Sequence, residues 1–509
     1  MIKTLRQAVF LRLTLFFTFG IIIQTHKNIF PYWVYGSAFS LLIIALAFFP
    51  EIFLSYRRRW LFGVGLLLLC ASSAGVLTYS NRTQSEWTEE EGIQSYRVQL
   101  IDEPVRKPKT WMCKVKTGEK TVLIYLPADS NSSSLSPSDW LVIKAHFEKT
   151  EPSNLLRQGI AARAFVYKNH WEKIEPPPQG QRFHWRFYSL KCRRIVLNQL
   201  RKILPDEKSF AVAAAVSFGY TDELDKDIRQ VFAATGSSHI LSISGLHFAI
   251  IYSALYFLFS FCGNNRWGRI IRQLIILPLL WVFAFFVGMA PSVTRAVIMI
   301  TLWGIGNVFF FRALTINTVG AAAFFMLLYN PFYLFDVGFQ LSFSAVFAIL
   351  LINPHLTSLY HSSNPMINYV WELSCTSTSA QLGTVPLSLY YFHQFPLLYL
   401  VSNIFAIPLT GILLLLVPLT LFVSFFCGNQ PELLFPLQKL LAVFIHVLDA
   451  LANIPHGVVS NIQLTIKDTL IMTLEIVFSF LLIIKKRMIY LCLLIILVAL
   501  QVFYYLCPV

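Results

Sequence analysis

Apolar residues fall in long segments that form two groups, one on each side of a single polar stretch. Three segments open the chain, at 9–23, 31–47 and 60–79. Ten more follow the polar stretch, at 239–261, 274–289, 293–311, 316–328, 337–352, 369–391, 396–426, 435–454, 470–484 and 488–506. A helix needs about 20 mostly apolar residues to cross the hydrocarbon layer of a bilayer. The pattern therefore predicts a polytopic α-helical membrane protein.

Between the two groups, residues 80–183 form a polar stretch with the pattern of short strands. Runs rich in β-branched and aromatic residues occur at 96–101, 111–115, 121–126, 140–147 and 162–167, with turn-forming residues between them. Five such strands favour a small β-barrel of OB-like type, inserted between the membrane segments. The prolines at 176–178 then predict a stiff linker.

Residues 184–204 combine apolar and basic residues in the pattern of an amphipathic helix that lies on a membrane surface. We interpret its arginines and lysines first as anchors to lipid headgroups. The predicted domains are therefore the N-terminal transmembrane helices at 1–79, the OB-like domain at 80–183, the interfacial helix at 184–204 and a second transmembrane domain at 205–509.

The composition supports a membrane protein and adds a prediction of its orientation in the bilayer. Hydrophobic residues make up 56% of the chain and charged residues 13%, which excludes an ordinary soluble domain. Lys and Arg outnumber Asp and Glu by 41 to 26, and cytoplasmic loops of membrane proteins carry such an excess. Basic residues at Lys3, Arg6 and Arg12, at 57–59 and at 485–487 predict a cytoplasmic N-terminus. The polar stretch is then expected on the extracytoplasmic side of the membrane.

Cysteine and histidine patterns give no sign of a metal or a cofactor. The eight cysteines are scattered, with no Cys-x-x-Cys pair and no histidine at zinc-ligand spacing. We therefore predict neither a metal site nor a bound cofactor, and we expect the cysteines to act as small apolar residues.

A polar run opens the second group of apolar segments. Residues 236–247 contain two histidines, four serines and two glycines, among them His239, Ser242, Ser244, Gly245 and His247. Polar groups at membrane depth are costly and often line a pathway, which makes this run a candidate pore lining. Alternatively, it is a helix start whose serines bond to the preceding turn and whose Gly245 permits close helix packing.

An enzymatic interpretation of the same run is weaker. The run lacks the Gly-x-Ser-x-Gly pattern of a nucleophile elbow, and nothing completes a set of nucleophile, base and orienting group. We predict that the chain is not an enzyme. An intramembrane hydrolase or a small-solute transporter that uses His239, Ser244 and His247 remains the alternative.

The run also belongs to a longer resemblance. Residues 211–251 resemble the core of the ComEC competence family, and three further stretches resemble its other motifs in the same order, at 291–296, 336–343 and 381–395. Pieces of the polar stretch, at 139–141 and 156–161, are similar to the family's extracytoplasmic domain. Ordered motifs over so long a span are far more specific than any one of them.

The resemblance implies a channel that conducts one DNA strand across the cytoplasmic membrane during natural transformation, with an extracytoplasmic domain that binds DNA. Its implied partners are single-stranded DNA, the lipid bilayer, a DNA-uptake pilus, a periplasmic DNA-binding protein and a cytosolic helicase, together with further copies of the chain in a homo-oligomer. Many members carry a C-terminal metallo-β-lactamase-like domain. This sequence has no His-x-His-x-Asp-His cluster, so we expect a form without that domain and without nuclease activity.

The matching motifs supply further candidates for the DNA path. Arg295 is suited to meet a phosphate, and equally to reach the membrane interface or to pair with Asp336. Asp336 and Gln340 are four residues apart and are expected on one helix face. Gln381 and Thr384 are expected to share another face with Ser388. Hydrogen bonds between helices explain both faces without a substrate.

Two charged stretches remain as candidate DNA contacts. The first is the helix at 184–204, whose basic residues are suited to guide phosphates as the alternative to anchoring lipid. The second is a cluster in the polar stretch, in which cations surround one aromatic ring: Lys107, Lys109, Trp111, Lys114 and Lys116. A solvated strand edge protected by lysines explains that cluster equally well.

Overall fold

The computed structural model describes residues 8–27, 29–47, 60–85, 87, 92–102, 104–107, 109–118, 120–128, 135–149, 160–175, 185–309, 315–428 and 431–506. Its helices are α1 (Val9–His26), α2 (Phe30–Ala47), α3 (Trp60–Ser85), α4 (Trp185–Ile203), α5 (Glu207–Phe218), α6 (Lys226–Ala234), α7 (Gly245–Leu258), α8 (Arg266–Phe286), α9 (Pro291–Phe309), α10 (Thr315–Tyr329), α11 (Val337–Thr357), α12 (Pro365–Phe392), α13 (Tyr399–Cys427), α14 (Pro431–Ala452), α15 (Ile466–Lys485) and α16 (Met488–Leu506). Short 3₁₀ turns cover Ser238–Ile240, Phe259–Cys262 and Pro331–Phe335.

The strands are β1 (Gln94–Leu100), β2 (Val105–Arg106), β3 (Thr110–Thr117), β4 (Lys120–Pro127), β5 (Trp140–Ala145), β6 (Glu148–Lys149), β7 (Ile160–Phe165), β8 (Trp171–Ile174), β9 (Gln394–Pro396) and β10 (Val458–Ser460). β1 to β8 belong to one sheet, and β9 pairs with β10 in a separate two-stranded sheet.

Eight of the described helices are long and apolar enough to cross a bilayer: α1, α2, α3, α7 with its 3₁₀ extension, α8, α11, α13 and α14. Within the described residues, each of the ten apolar segments predicted after the polar stretch lies mainly on a helix. The chain is therefore a multi-pass helical membrane protein. Lys3, Arg6, the arginines at 57–59 and the prolines at 176–178 lie outside the described residues, and the cytoplasmic N-terminus stays a prediction.

The chain divides into two compact units, residues 1–192 with 310–336, and residues 193–309 with 337–509. In the first unit, α10 packs on α1 although about 300 residues separate them in sequence. The Thr14 hydroxyl donates a hydrogen bond to the Gly320 carbonyl at 2.8 Å, and a Cβ at Gly320 would lie 2.7 Å from the backbone nitrogen of Leu11. α10, which the sequence placed with 205–509, thus clusters with the N-terminal helices.

The large sheet confirms the five predicted strands and adds β2, β6 and β8. Its strand order is β6-β7-β4-β3-β1-β5-β8, with β2 also paired to β3. All pairs are antiparallel except β4 with β7. Alternate residues of five strands build one core, which contains Val98, Cys113, Ile124, Leu141 and Ala162. Within the described strands no pairing joins β6 to β8, so closure into a barrel stays a prediction.

In the second unit, α5 lies at the centre of the largest core. Every residue from Phe210 to Phe218 is buried, because alanines at 211 and 213–215 let neighbouring helices approach. α5 packs on α13 and α14. Asp206 caps its first turn by accepting a hydrogen bond from the Ser209 backbone N–H at 3.0 Å, and Gly219 ends it in the left-handed conformation with φ of 65°.

Part of the apolar face of α4 packs in the protein core. Leu197, Leu200 and Ile203 belong to the core around α5. The Arg193 guanidinium donates to the Val287 carbonyl at 3.3 Å, and Arg201 forms an ion pair with Glu223. Our first interpretation, that the arginines and lysines of this helix anchor to lipid headgroups, stays a prediction. An interfacial position of the helix stays a prediction.

Candidate functional site

Five helices of the second unit form a closed ring of contacts. α7 packs on α9, α9 on α11, α11 on α12, α12 on α13, and α13 on α7. The run at 236–247, with which we represent the first motif, and the other three motifs lie on these helices or on the segments that directly precede or follow them. The ring therefore brings together residues that are up to about 160 positions apart in sequence.

The first motif is fixed to the start of α13 by its glycine and its first serine. Gly236 has φ of 74°, and a Cβ there would lie 2.9 Å from both Pro396 Cγ and Tyr399 Cβ. Only glycine meets both demands, the left-handed backbone and the close approach. The buried Ser237 and Ser402 hydroxyls form a hydrogen bond at 2.7 Å. Neither Pro396 nor Ser402 was singled out from the sequence, because no local pattern indicates a contact between segments about 160 residues apart.

The middle of the motif forms an exposed rim, by which we mean Ser238, His239, Ser242 and Gly245. All four are exposed, and His239 Nδ1 lies 3.2 Å from the Gly236 carbonyl. A Cβ at Gly245 would meet no atom within 4 Å. Close helix packing at Gly245, which the sequence offered as an alternative, is thus wrong, because open space surrounds that position.

Ser244 and His247 cap the start of α7. The Ser244 backbone N–H donates to His247 Nδ1 at 3.2 Å, and the Ser244 hydroxyl lies 3.0 Å from the same nitrogen. Because Nδ1 accepts from the backbone, the ring proton sits on Nε2. His247 is 0% exposed, and its Nε2 has no hydrogen-bond partner among the residues that the structure describes.

This serine–histidine pair has part of the geometry of a hydrolase, but only part. A catalytic base is normally oriented by a third group at its other ring nitrogen. In the described part of the chain no carboxylate bonds to His247 Nε2, and no group of three or more His, Cys, Asp or Glu residues is placed to hold a metal ion. The capping role accounts for the observed contacts.

The second motif begins α9 next to the first motif. Gly288 and Met289 have φ of 96° and 53° and turn the chain between α8 and α9. Val293 and Ile243 belong to the same core cluster, which joins the two motifs. Arg295 is buried, at 6% exposure, one turn into the helix. Its predicted pairing with Asp336 connects the two units and stays a prediction.

The third and fourth motifs meet where α11 begins and α12 ends. The Tyr391 hydroxyl donates to Gln340 Oε1 at 3.0 Å, so a hydrogen bond between helices explains Gln340, as the sequence analysis allowed. Asp336 has an extended backbone, with φ of −73° and ψ of 126°, and precedes the first residue of α11. The expectation that Asp336 and Gln340 share a helix face is therefore wrong, because Asp336 is outside the helix.

α12 packs against α11 through small residues. A Cβ at Gly383 would lie 2.4 Å from Ala348 Cβ, so the two backbones are very close at that point. The neighbouring Thr384 hydroxyl bonds to the Ala380 carbonyl of its own helix at 3.0 Å, and Gln381 is half-buried. Thr384 thus has an explanation within α12, and the role of Gln381 in a DNA path stays a prediction.

In the sheet, the predicted basic cluster does not form one surface. Trp111 is half-buried and packs against the sheet core, on the same side of β3 as Cys113. Burial raises the pKa of the Cys113 thiol to about 12. Alternation along the strand puts Lys114 and Lys116 on the opposite face. Their exposed companions Lys107 and Lys109 lie beside the turn between β2 and β3.

These features define a class of protein: a polytopic membrane protein with a polar site built into a ring of helices. A family model described as "Competence protein" matches residues 216–487, which include every helix of the ring. The match covers more than half of the chain. The chain belongs to the competence protein family, as its motifs indicated.

Curated relatives agree with this assignment. The chain is 27% identical to ComE operon protein 3 of Bacillus subtilis over 326 residues, which are 62% of this chain and 39% of the relative. It is 24% identical to Recombination protein 2 of Haemophilus influenzae over 245 residues, 46% of this chain and 31% of the relative. An uncharacterized protein of Aquifex aeolicus is 27% identical over 277 residues, 53% of this chain and 61% of the relative.

The chain thus spans between about a third and three fifths of the length of these curated relatives. No solved structure matches it.

Proposed function

We propose that the protein conducts single-stranded DNA across the bacterial cytoplasmic membrane during natural transformation. The observation that carries the proposal is the ring of α7, α9, α11, α12 and α13, in which the first motif contacts the second and the third contacts the fourth. Membership of the competence family supports DNA as the substrate.

The exposed rim has the chemistry that a polyanion path requires. A charged strand needs polar groups at membrane depth and no fixed negative charge beside it. Residues 236–247 contain hydroxyl and imidazole groups and no acidic side chain. Open space surrounds Gly245, where an added Cβ would meet no atom within 4 Å.

We also propose that the rim faces outward. The opposite end of α7 leads into a loop and a helix start that carry Arg266, Arg269 and Arg272, and basic loops remain on the cytoplasmic side. The run at 485–487 supports the same orientation for the end of α15. We propose separately, from the basic residues Lys3, Arg6 and Arg12 and those at 57–59, that the N-terminus is cytoplasmic and the sheet is extracytoplasmic. The pilus, the periplasmic DNA-binding protein, the helicase and the homo-oligomer remain predictions.

The test changes the charge of one rim side chain and keeps its size constant. In a strain that lacks the gene, a plasmid copy of the wild-type chain should restore entry of labelled DNA into the cytosol, whereas Ser242→Asp should not, because a carboxylate repels phosphate. Ser242→Asn is the matched control, equal in size and neutral, and should retain uptake. Surface-bound DNA and membrane levels of the protein are measured in parallel. Equal uptake by Ser242→Asp and Ser242→Asn would refute the proposal.

A hydrolase is the second candidate, favoured only by the 3.0 Å contact between the Ser244 hydroxyl and His247 Nδ1. Purified protein in nanodiscs is assayed against ester and peptide substrates, with Ser244→Ala as the comparison. Conduction without catalysis predicts no hydrolysis that depends on Ser244. Turnover that disappears with Ser244→Ala would establish the second candidate instead.

A further inference from the structure

Five polar residues form one stripe along the ring helix α12. They follow one another at intervals of three or four residues, which places them on a single side of the helix. The α12 stripe, as we name it, consists of Ser374, Ser377, Gln381, Thr384 and Ser388. At about 1.5 Å per residue it extends about 21 Å, which is roughly two thirds of the hydrocarbon layer of a bilayer.

α12 differs in polarity from the two helices that pack against it in the ring. α11 and α13 are both long and apolar enough to cross a bilayer, whereas α12 is not apolar enough. With 28 residues α12 is nevertheless long enough to cross. Its place between two spanning helices therefore puts the α12 stripe at membrane depth, where lipid offers polar groups no hydrogen bonds.

The α12 stripe faces neither α11 nor the surroundings of the protein. The contacts with α11 run through Gly383 and Tyr391, which lie roughly 100° around the helix from the stripe. Leu382 is 37% exposed and lies roughly 120° from the stripe on a third side. Every residue of the stripe is buried or half-buried. The stripe thus points into the second unit.

Within the described residues no hydrogen bond joins the α12 stripe to another helix, although the sequence analysis allowed such bonds as its explanation. The hydroxyls of Ser374 and Thr384 donate to carbonyls of α12 itself, at 2.7 and 3.0 Å. The side chains of Ser377, Gln381 and Ser388 bond to no residue that the structure describes, and Ser377 is only 7% exposed. Unbonded polar groups at membrane depth are costly, so water or a ligand must satisfy them.

The α12 stripe is also free of charge. Residues 373–392 contain no acidic and no basic side chain. Hydroxyl and amide groups donate hydrogen bonds to a phosphate without repelling it as a carboxylate would. Conduction requires contacts that are favourable enough for entry and weak enough for release, and neutral donors in series meet both conditions.

We infer that the α12 stripe is the wet wall of the conduction path, and that Ser377, Gln381 and Ser388 donate hydrogen bonds to the phosphates of the passing strand. The inference rests on the proposed function for the identity of that strand. Its first test measures contact with water and needs no DNA.

The first test compares cysteines on two sides of α12. Full-length protein in nanodiscs is treated with a charged methanethiosulfonate that does not enter lipid, and peptide mass mapping measures its reaction. Gln381→Cys and Ser388→Cys should be modified, because the reagent reaches a thiol only through water, and Leu382→Cys should not. The native Cys375 of α12, 4% exposed, is the internal control and should remain unmodified.

The second test compares two neighbouring methionine variants in the strain that lacks the gene. Gln381→Met keeps the length of the side chain and removes its amide. It should lower the entry of labelled DNA about 10-fold, the effect of one lost hydrogen bond to a charged group. Leu382→Met should retain entry. Membrane levels and thermal unfolding of both variants are measured to establish that they fold.

Two results would overturn the inference. Equal modification of Gln381→Cys and Leu382→Cys would refute the wet wall, and equal DNA entry in the two methionine variants would refute the contact with phosphates. Either result leaves the proposed conduction intact if Ser242→Asp still blocks uptake. Conversely, normal uptake in Ser242→Asp together with selective modification of Gln381→Cys would refute conduction of DNA through the ring and keep a water-filled track.

Discussion

Gly383 is the position at which the ring of helices tolerates least change. A Cβ there would lie 2.4 Å from Ala348 Cβ and 2.6 Å from the Ser344 carbonyl oxygen. Carbon atoms pack at about 3.5–4.0 Å, so the first contact falls short by about 1.1–1.6 Å. Neither neighbouring atom can rotate away, because one is a backbone oxygen and the other is attached directly to the backbone. Gly383→Ala must therefore push α11 and α12 apart.

The expected cost follows from two opposing terms. Overpacking costs about 1–3 kcal/mol, and a shortfall above 1 Å favours the upper end. Alanine gains about 1 kcal/mol over glycine in a helix. We expect Gly383→Ala to lower the free energy of unfolding by about 2 kcal/mol, measured by thermal unfolding of purified protein in nanodiscs.

The control is Gly411→Ala on α13, another ring helix. A Cβ at Gly411 would meet only Ile250 Cδ1, at an ordinary 3.6 Å, so this variant should be as stable as the wild type or more stable by up to about 1 kcal/mol. Adding Ala348→Gly to Gly383→Ala should recover part of the loss, because it removes the shorter contact. Equal stability of Gly383→Ala and Gly411→Ala would refute the close packing of α11 and α12.

Three further predictions address single contacts. Tyr391→Phe removes the hydroxyl that donates to Gln340 and should lower the free energy of unfolding by about 1 kcal/mol in the same assay, and an unchanged midpoint would contradict it. The Cys113 thiol, with its pKa raised to about 12, should resist a maleimide near pH 8 until the protein is unfolded. The exposed Cys192 should react at once. Peptide mass mapping measures both reactions. Hydrogen bonds from the Ser209 side chain and backbone lower the pKa of Asp206. The contribution of the Asp206 carboxylate to stability is therefore fully present above the pKa of the unfolded chain, about 3.9. It is lost as the pH falls through the lower pKa of the folded protein. Asp206→Asn keeps the cap and should reduce the acid dependence of thermal unfolding, whereas an identical pH profile would count against that contribution.

Local patterns predicted most of the elements. The strands expected at 96–101 and 140–147 appear as β1 and β5 with shifts of one or two residues at their ends. The two-residue strands β2 and β6 were missed, because so few residues carry no periodic signal. Their pairing depends on the neighbouring strands rather than on their own sequence.

The sequence singled out the residues of the candidate site but gave no sign of their contacts, and their place in a DNA path stays a prediction. Within the run at 236–247, Ser238, His239, Ser242 and Gly245 are exposed, whereas Ser237 and His247 are buried. The contact of Gly236 with Pro396, and the bond between Ser237 and Ser402, join segments about 160 residues apart, and no local rule identifies them. Asp336 was placed on a helix because sequence locates helix ends poorly.

In the sheet, a stricter use of the two-residue periodicity would have placed the Trp111 ring on the core side of β3. Trp111, Cys113 and Val115 alternate with Lys114 and Lys116, and side chains of a strand point to opposite faces in turn. The sequence thus contained the signal that Trp111 shares a side with buried residues.

The central claim is conduction of a single strand through the membrane domain, and a reconstituted assay tests it most directly. Proteoliposomes enclose a quenched oligonucleotide whose fluorescence rises when an added complementary strand anneals inside, so that annealing supplies the driving force. External nuclease removes any strand that has not entered. We predict a nuclease-resistant rise with the wild-type chain and with Ser242→Asn, and none with Ser242→Asp or with a duplex. No rise with the wild-type chain, or an equal rise with Ser242→Asp, would contradict the account.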